Sequence, residues 1–281
     1  MIELIQQRLN EYKANNAIEE AQAIKEIIQE IALFGLWKAG FFEVAAFQGG
    51  TSLRVLYDLP RFSEDLDFIL KEPNPDFDWT GYLKSLLENL EEFGLKTEVK
   101  DKSRMDQAVR KALLKDNSIS NQLNLSFYRG QKDQNLTIKL EIDVNPPQGS
   151  TFEYMNLDFP TDFEVCHQDL SSNFALKIHA LLCRPYTKGR DWYDFNWYVR
   201  KKIKPNLPLL RAALIQDGPW KGQDLKINED WVKQSLSQKI SSIDWKGAAT
   251  DIERFLSRIE KDGLKMWNEQ FFTQKAEQLF D

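Results

Sequence analysis

Between residues 41 and 70 the hydrophobic pattern changes period twice, and this restricts the fold more than any other feature of the chain. Phe-Phe-Glu-Val-Ala-Ala-Phe (41–47) is short, apolar and aromatic, as a buried strand is. Gly49-Gly50 then turns the chain, and residues 51–58 suit a helix with Thr51 or Ser52 near its cap. Pro60 ends that element, and Asp-Leu-Asp-Phe-Ile-Leu (65–70) reads as the next strand. The order strand, glycine turn, helix, strand calls for an α/β core.

The surrounding sequence extends that reading. Residues 16–39 form an amphipathic helix with Ile24, Ile27, Ile28, Ile31 and Ala32 on its apolar stripe and Gly40 as its stop. A second such helix spans 79–94 and closes at Gly94. Strands are expected at 95–100, 121–128 and 135–144. In the last, Leu136, Ile138, Leu140, Ile142 and Val144 alternate with Thr137, Lys139, Glu141 and Asp143. From about residue 168 the texture becomes helical, with helices expected at 168–184, 190–202, 206–216, 228–240, 246–259 and 266–280. The expectation is an α/β (α+β) fold: a mixed-sheet core with N-terminal helices over 1–165, then an α-helical domain over 166–281.

Composition excludes several classes. No apolar run approaches the roughly 20 residues that span a bilayer, and the charged, amphipathic N-terminus is unlike a signal peptide. Cys166 and Cys183 are the only cysteines, so no disulfide framework is implied and a cytoplasmic protein is expected. His167 and His179 are the only histidines, which rules out a multi-histidine metal centre and leaves carboxylates holding a hard cation, Mg²⁺ or Mn²⁺. The net charge of −6 lacks the signature of a nucleic-acid binder. Residues 102–115 and 184–204 are nonetheless locally basic, and a solvated helix face is the plain reading of each.

Three acids stand out. Asp65 and Asp67 lie two apart on a strand, so both carboxylates face one side, and Asp143 on the polar face of another strand can supply a third. Such a set suits one or two Mg²⁺ ions for phosphoryl transfer. Turn chemistry is the plain alternative for Asp-x-Asp, but Phe68-Ile69-Leu70 continues as strand. Gly49-Gly50-Thr51-Ser52 complements the acids: glycines admit backbone N–H groups to a phosphate, and a helix N-terminus favours anionic charge. It is no Walker loop, since no Gly-Lys-Ser/Thr follows. Further on, Lys177 and Arg184 are seven apart on one helix face, and Arg190, Asp191 and Asp194 cluster at the start of the next helix.

Gly-Gly-Thr-Ser-Leu (49–53), Arg-Phe-Ser-Glu-Asp-Leu-Asp-Phe (61–68), Lys-Leu-Glu-Ile-Asp (139–143), Leu-Lys-Ile-His-Ala-Leu-Leu-Cys-Arg (176–184) and Lys-Gly-Arg-Asp-Trp-Tyr-Asp-Phe (188–195) follow one another in order. Together they resemble the nucleotidyltransferase toxins of the AbiEii/AbiGii family, MenT-type toxins included, within the DNA polymerase β-like nucleotidyltransferase superfamily. The resemblance implies that Gly49, Gly50 and Ser52 cradle a nucleoside triphosphate and that Asp65 and Asp67 bind metal, with Ser63 just before them. It implies Asp143 as the third acid, Lys177 as a triphosphate contact, and Asp194 in the last motif supported by Arg190 and Asp191. It further implies an antitoxin partner encoded nearby and a tRNA 3′ end as acceptor, with neither DNA nor membrane involved. Three rivals stay open: a small-molecule nucleotidyltransferase, a kinase acting on protein and even on Ser63, and a nucleotide-binding interaction module without turnover.

Overall fold

The computed structural model describes residues 1–103, 107–116, 118–127 and 136–281, the side chains of 120 and 121 excepted. The chain divides into two compact units. The first comprises Met1–Asp58, Phe62–Pro146 and Glu153–His167; the second comprises Leu59–Arg61, Pro147–Phe152 and Gln168–Asp281.

The first unit is built on a mixed sheet with the order β3-β4-β5-β2-β1-β7-β6. Its strands are β1 (Ala45–Gln48), β2 (Asp65–Leu70), β3 (Thr97–Asp101), β4 (Val109–Asp116), β5 (Leu136–Asp143), β6 (Phe152–Leu157) and β7 (Phe163–Gln168). β2 runs antiparallel to β1 and parallel to β5, which puts it at the centre of the sheet. Leu66 and Phe68 of β2, Leu140 and Ile142 of β5 and Ala112 and Leu114 of β4 are all buried, each alternating with a more exposed neighbour except at Phe68-Ile69. Helices α1 (Ile2–Glu11), α2 (Ala17–Lys38), α3 (Gly49–Tyr57), α4 (Thr80–Glu92) and the short α5 (Ile119–Gln122) complete the unit. The Asn16 side chain starts α2 by accepting the N–H groups of Ile18 and Glu19. Gly40, at φ +73°, ends it in the left-handed region where a glycine costs nothing.

Four expectations need correction. Residues 41–43 are a 3₁₀ turn, so the strand expected over 41–47 is shorter and later. The basic stretch 109–115 is strand β4, not a solvated helix face, while 104–106 lie outside the described residues. The strand expected at 121–128 does not form over 121–127, and residue 128 lies outside the described residues. There Asp116 accepts the N–H groups of Ser118 and Ile119, and Glu20 accepts those of Ser126 and Phe127, so side chains take the bonds a ladder would use. Finally, β6 and β7 continue the sheet past the Pro146-Pro147 break.

The second unit is helical: α6 (Leu170–Cys183), α7 (Gly189–Arg200), α8 (Leu207–Gln216), α9 (Glu229–Ile240), α10 (Trp245–Glu253), α11 (Arg258–Gly263) and α12 (Glu269–Glu277). Its core is aromatic. Phe174 stacks on Tyr198 at 4.2 Å and Trp245 on Phe272 at 4.1 Å, with Trp192 edge-on to both Trp245 and Phe272. α7 and α10 meet at Gly189, where a Cβ would lie 2.0 Å from the Ala248 carbonyl oxygen. Backbone, not a flexible tip, fills that space. Gly189→Ala is therefore expected to destabilise the protein by about 1–3 kcal/mol or more, read as a lowered midpoint in thermal denaturation; an unchanged midpoint would contradict this packing.

Candidate active site

The first group of residues surrounds the start of α3. Gly49 sits at φ +77°, and a Cβ there would come within 2.9 Å of the Asp67 Oδ2 atom. The missing side chain is what lets the first residue of α3 lie against that carboxylate. In the antiparallel pair Gln48 faces Asp67, and Gln48 Nε2 donates to the Phe68 carbonyl, which fixes the turn to β2. Asp65 and Asp67 share one side of β2 and are half-buried, while Leu66 is wholly buried on the other. The expected pair is thus present and partly accessible.

The hydroxyls beside it do something other than expected. α3 begins at Gly49, so Thr51 and Ser52 lie inside its first turn rather than at its cap. Ser52 is buried, and its hydroxyl donates to the Gly49 carbonyl at 2.8 Å. Thr51 is buried as well, with Oγ1 2.8 Å from Ser63 Oγ and bonded to the Asp65 carbonyl. These bonds clamp the glycine turn to the strand that carries the acids. The same turn presents Gly49, Gly50 and the positive end of a helix.

Strand register decides which acid lies nearest. In the parallel pair of β2 and β5, Asp65 faces Lys139, Asp67 faces Glu141 and Ile69 faces Asp143. Asp143 is on the expected face but two residues beyond the partner of Asp67, about 7 Å along the strand. Its carboxylate accepts the Asn145 N–H at 2.9 Å, and burial raises its pKa despite that bond. Glu141, beside Asp67, is the acid that sequence reasoning passed over. Lys139 and Lys111 hold it at 2.7 and 2.9 Å. Burial opposes its ionisation, yet the two ammonium groups outweigh burial and depress its pKa. Glu141 in turn, with Asp65 and Asp67, raises Lys139 against the effect of burial. Glu141 shares the parity of Asp143 in Lys-Leu-Glu-Ile-Asp, which was the available signal.

Among the described residues no group of three His, Cys, Asp or Glu side chains is gathered as a metal cage. Asp65 and Asp67 nevertheless fit a magnesium ion, which proteins typically hold through one or two carboxylates with substrate phosphates completing the shell.

The second group belongs to the helical unit. Lys177 of α6 places its ammonium 2.7 Å from Asp191 Oδ1 and 2.9 Å from Asp194 Oδ2, both on α7. Arg61 grips Asp194 with two parallel bonds, Nε to Oδ1 at 2.6 Å and Nη2 to Oδ2 at 2.7 Å. Arg184 closes the cluster on Asp191 Oδ2. Asp194 is fully buried, and the charges of Arg61 and Lys177 overcome the cost of its burial and keep its pKa depressed. Both Asp194 oxygens are engaged, Oδ1 by Arg61 and Oδ2 by Arg61 and Lys177. Arg190 places its guanidinium 4.4 Å from the centre of the Phe255 ring. Lys188 is depressed by burial and by the nearby Arg190, and Lys177 and Arg184 add to the effect.

An α/β sheet with adjacent aspartates against a glycine-started helix, followed by a helical unit, is the organisation of a nucleotidyltransferase. The family model of the nucleotidyl transferase AbiEii toxin, type IV toxin–antitoxin system, matches residues 31–272, and the chain belongs to that family. Two Helicobacter pylori crystal structures are similar at 17% identity and a TM-score of 0.44: a candidate nucleotidyltransferase, with 89% of this chain and 88% of that one covered, and JHP933, with 89% and 86%. No curated protein matches the chain. Among the described residues no helix is long and apolar enough to cross a membrane.

Neutralising Asp194 takes from Arg61 and Lys177 the buried carboxylate they share. Asp194→Asn is expected to cost about 3–5 kcal/mol, measured by urea denaturation at pH 7. The pH dependence has a definite sign. Asp191 and Asp194 have folded-state pKa values below the unfolded value, so their contribution is complete above the ordinary carboxylate range and is lost as pH falls through the depressed values. The acid loss of stability should therefore be smaller in Asp194→Asn than in the wild type; equal acid limbs would contradict the assignment.

Proposed function

We propose that this AbiEii-family toxin transfers a nucleotidyl group from a nucleoside triphosphate to the 3′-hydroxyl of an RNA, tRNA foremost, and works in the cytoplasm beside a cognate antitoxin. The observation that carries the reading is the Gly49–Asp67 contact, which places the beginning of a helix against a half-buried carboxylate with Asp65 on the same side. Mg²⁺ or Mn²⁺ bound at Asp65 and Asp67 would supply Lewis-acid polarisation of the triphosphate and neutralise its charge.

The chain's own groups then have distinct tasks. Gly49 and Gly50 leave the first turn of α3 open to phosphate oxygens, which the helix dipole favours. Thr51 and Ser63 hold that turn on the aspartate strand. Asp143, raised by burial, receives the proton of the attacking hydroxyl as the new O3′–Pα bond forms and pyrophosphate departs. Lys177, kept charged by Asp191 and Asp194, has a remaining N–H to offer an anion such as a phosphate oxygen, with Arg190 and Asp191 in the same motif. Most of the rate gain comes from positioning and charge stabilisation.

The test is incubation with total bacterial RNA, Mg²⁺ and each α-labelled nucleoside triphosphate in turn. Wild type should label RNA of tRNA size and release pyrophosphate. Asp65→Ala and Asp67→Ala should each lose at least about 10²–10³-fold in rate with unchanged circular dichroism. Transfer retained in either variant would overturn the site, and release of nucleoside diphosphate would replace nucleotidyl transfer by kinase chemistry.

A further inference from the structure

The helical unit holds a pocket of about 260 Å³ that none of the residues discussed so far explains. Asn196, Trp197 and Arg200 line it from α7, spaced so that they share one helix face with Tyr193. Trp267, Phe271 and Lys275 form the opposite wall, the last two one turn apart on α12. Pockets for drug-sized ligands run to roughly 300–1,000 Å³, so this one suits a single planar ring system.

We propose that the pocket binds one unpaired nucleobase of a single-stranded RNA. Three observations select that ligand over an apolar one. First, the walls are aromatic, and aromatic side chains stack bases of any sequence. Second, Asn196 lines the pocket, and a side-chain amide can read the donor and acceptor edge of a base. Third, Arg200 and Lys275 flank the opening, and among the described residues neither makes an ion pair with a carboxylate. Among the described residues Glu260 is the one carboxylate in the lining, and it accepts the Tyr193 hydroxyl. The rim is therefore positively charged over an aromatic floor, which matches a phosphate attached to a base. An apolar helix laid on the same surface would bury both cations with nothing to pair them.

That the strand is the acceptor rests on the nucleotidyl-transfer reading; that the pocket takes a base does not. The experiment is fluorescence anisotropy of full-length protein, in EDTA and without nucleoside triphosphate, with labelled ribotetramers of A, C, G and U. Wild type is expected to bind single strands with a preference among the four. Trp267→Ala should weaken binding at least tenfold and Trp267→Phe should restore most of it, since a ring face remains. Asn196→Ala should narrow the preference among bases. Arg200→Glu and Lys275→Glu, both surface changes, should weaken all four tetramers alike and flatten the salt dependence. Equal affinity in wild type, Trp267→Ala and Asn196→Ala would overturn the proposal, as would a duplex that competes as well as a single strand. If these effects appear while no RNA is labelled in the transfer assay, the acceptor reading falls and the base pocket stands.

Discussion

The first unit's chemistry depends on one close approach. A helix must begin where a central strand presents its aspartates, and Gly49, in the left-handed region and without a Cβ, is the residue that permits it. Any side chain there would collide with Asp67. The rest of the neighbourhood keeps that approach in register: Gln48 bonds to β2, and the Thr51 hydroxyl joins the Asp65 carbonyl and Ser63. The Thr51 hydroxyl holds the turn to the strand that carries the aspartates.

The helical unit solves a different problem. Lysine and arginine side chains are costly to bury unless anions accompany them, and here Arg61, Lys177 and Arg184 share two aspartates one turn apart on α7. The result is a lysine with its charge fixed and its direction set by two carboxylates. Such a group serves anion recognition better than a free surface lysine, which would lose side-chain entropy each time it bound. The same helix turns another face, through Asn196, Trp197 and Arg200, toward the aromatic pocket, so one element carries both the ion cluster and the proposed base site.

How much of this was legible in the sequence depended on how local its cause was. α2, α4 and β5 follow from clean periodicity with recognisable stops, and the paired aspartates follow from the two-residue repeat of a strand. β4 escaped because Arg110 points inward, where its guanidinium donates to the Gln107 and Pro75 carbonyls, so a basic residue occupies an apolar position of the alternation. The false strand at 121–127 carries β-formers whose N–H groups are taken by Glu20, a residue more than a hundred positions away. Glu141 and Asp143 share parity, and only the register against β2 tells them apart. Arg61 and Asp194 are separated by 133 positions, so their pairing left no local trace.

The most direct measurement of the central claim is Mn²⁺ binding by electron paramagnetic resonance, with a non-hydrolysable nucleoside triphosphate present. The account predicts bound Mn²⁺ in the wild type that is lost when Asp67 alone becomes Asn, with the fold unchanged by circular dichroism. Equal Mn²⁺ binding by the two proteins would contradict it, because the carboxylate against Gly49 would then hold no metal.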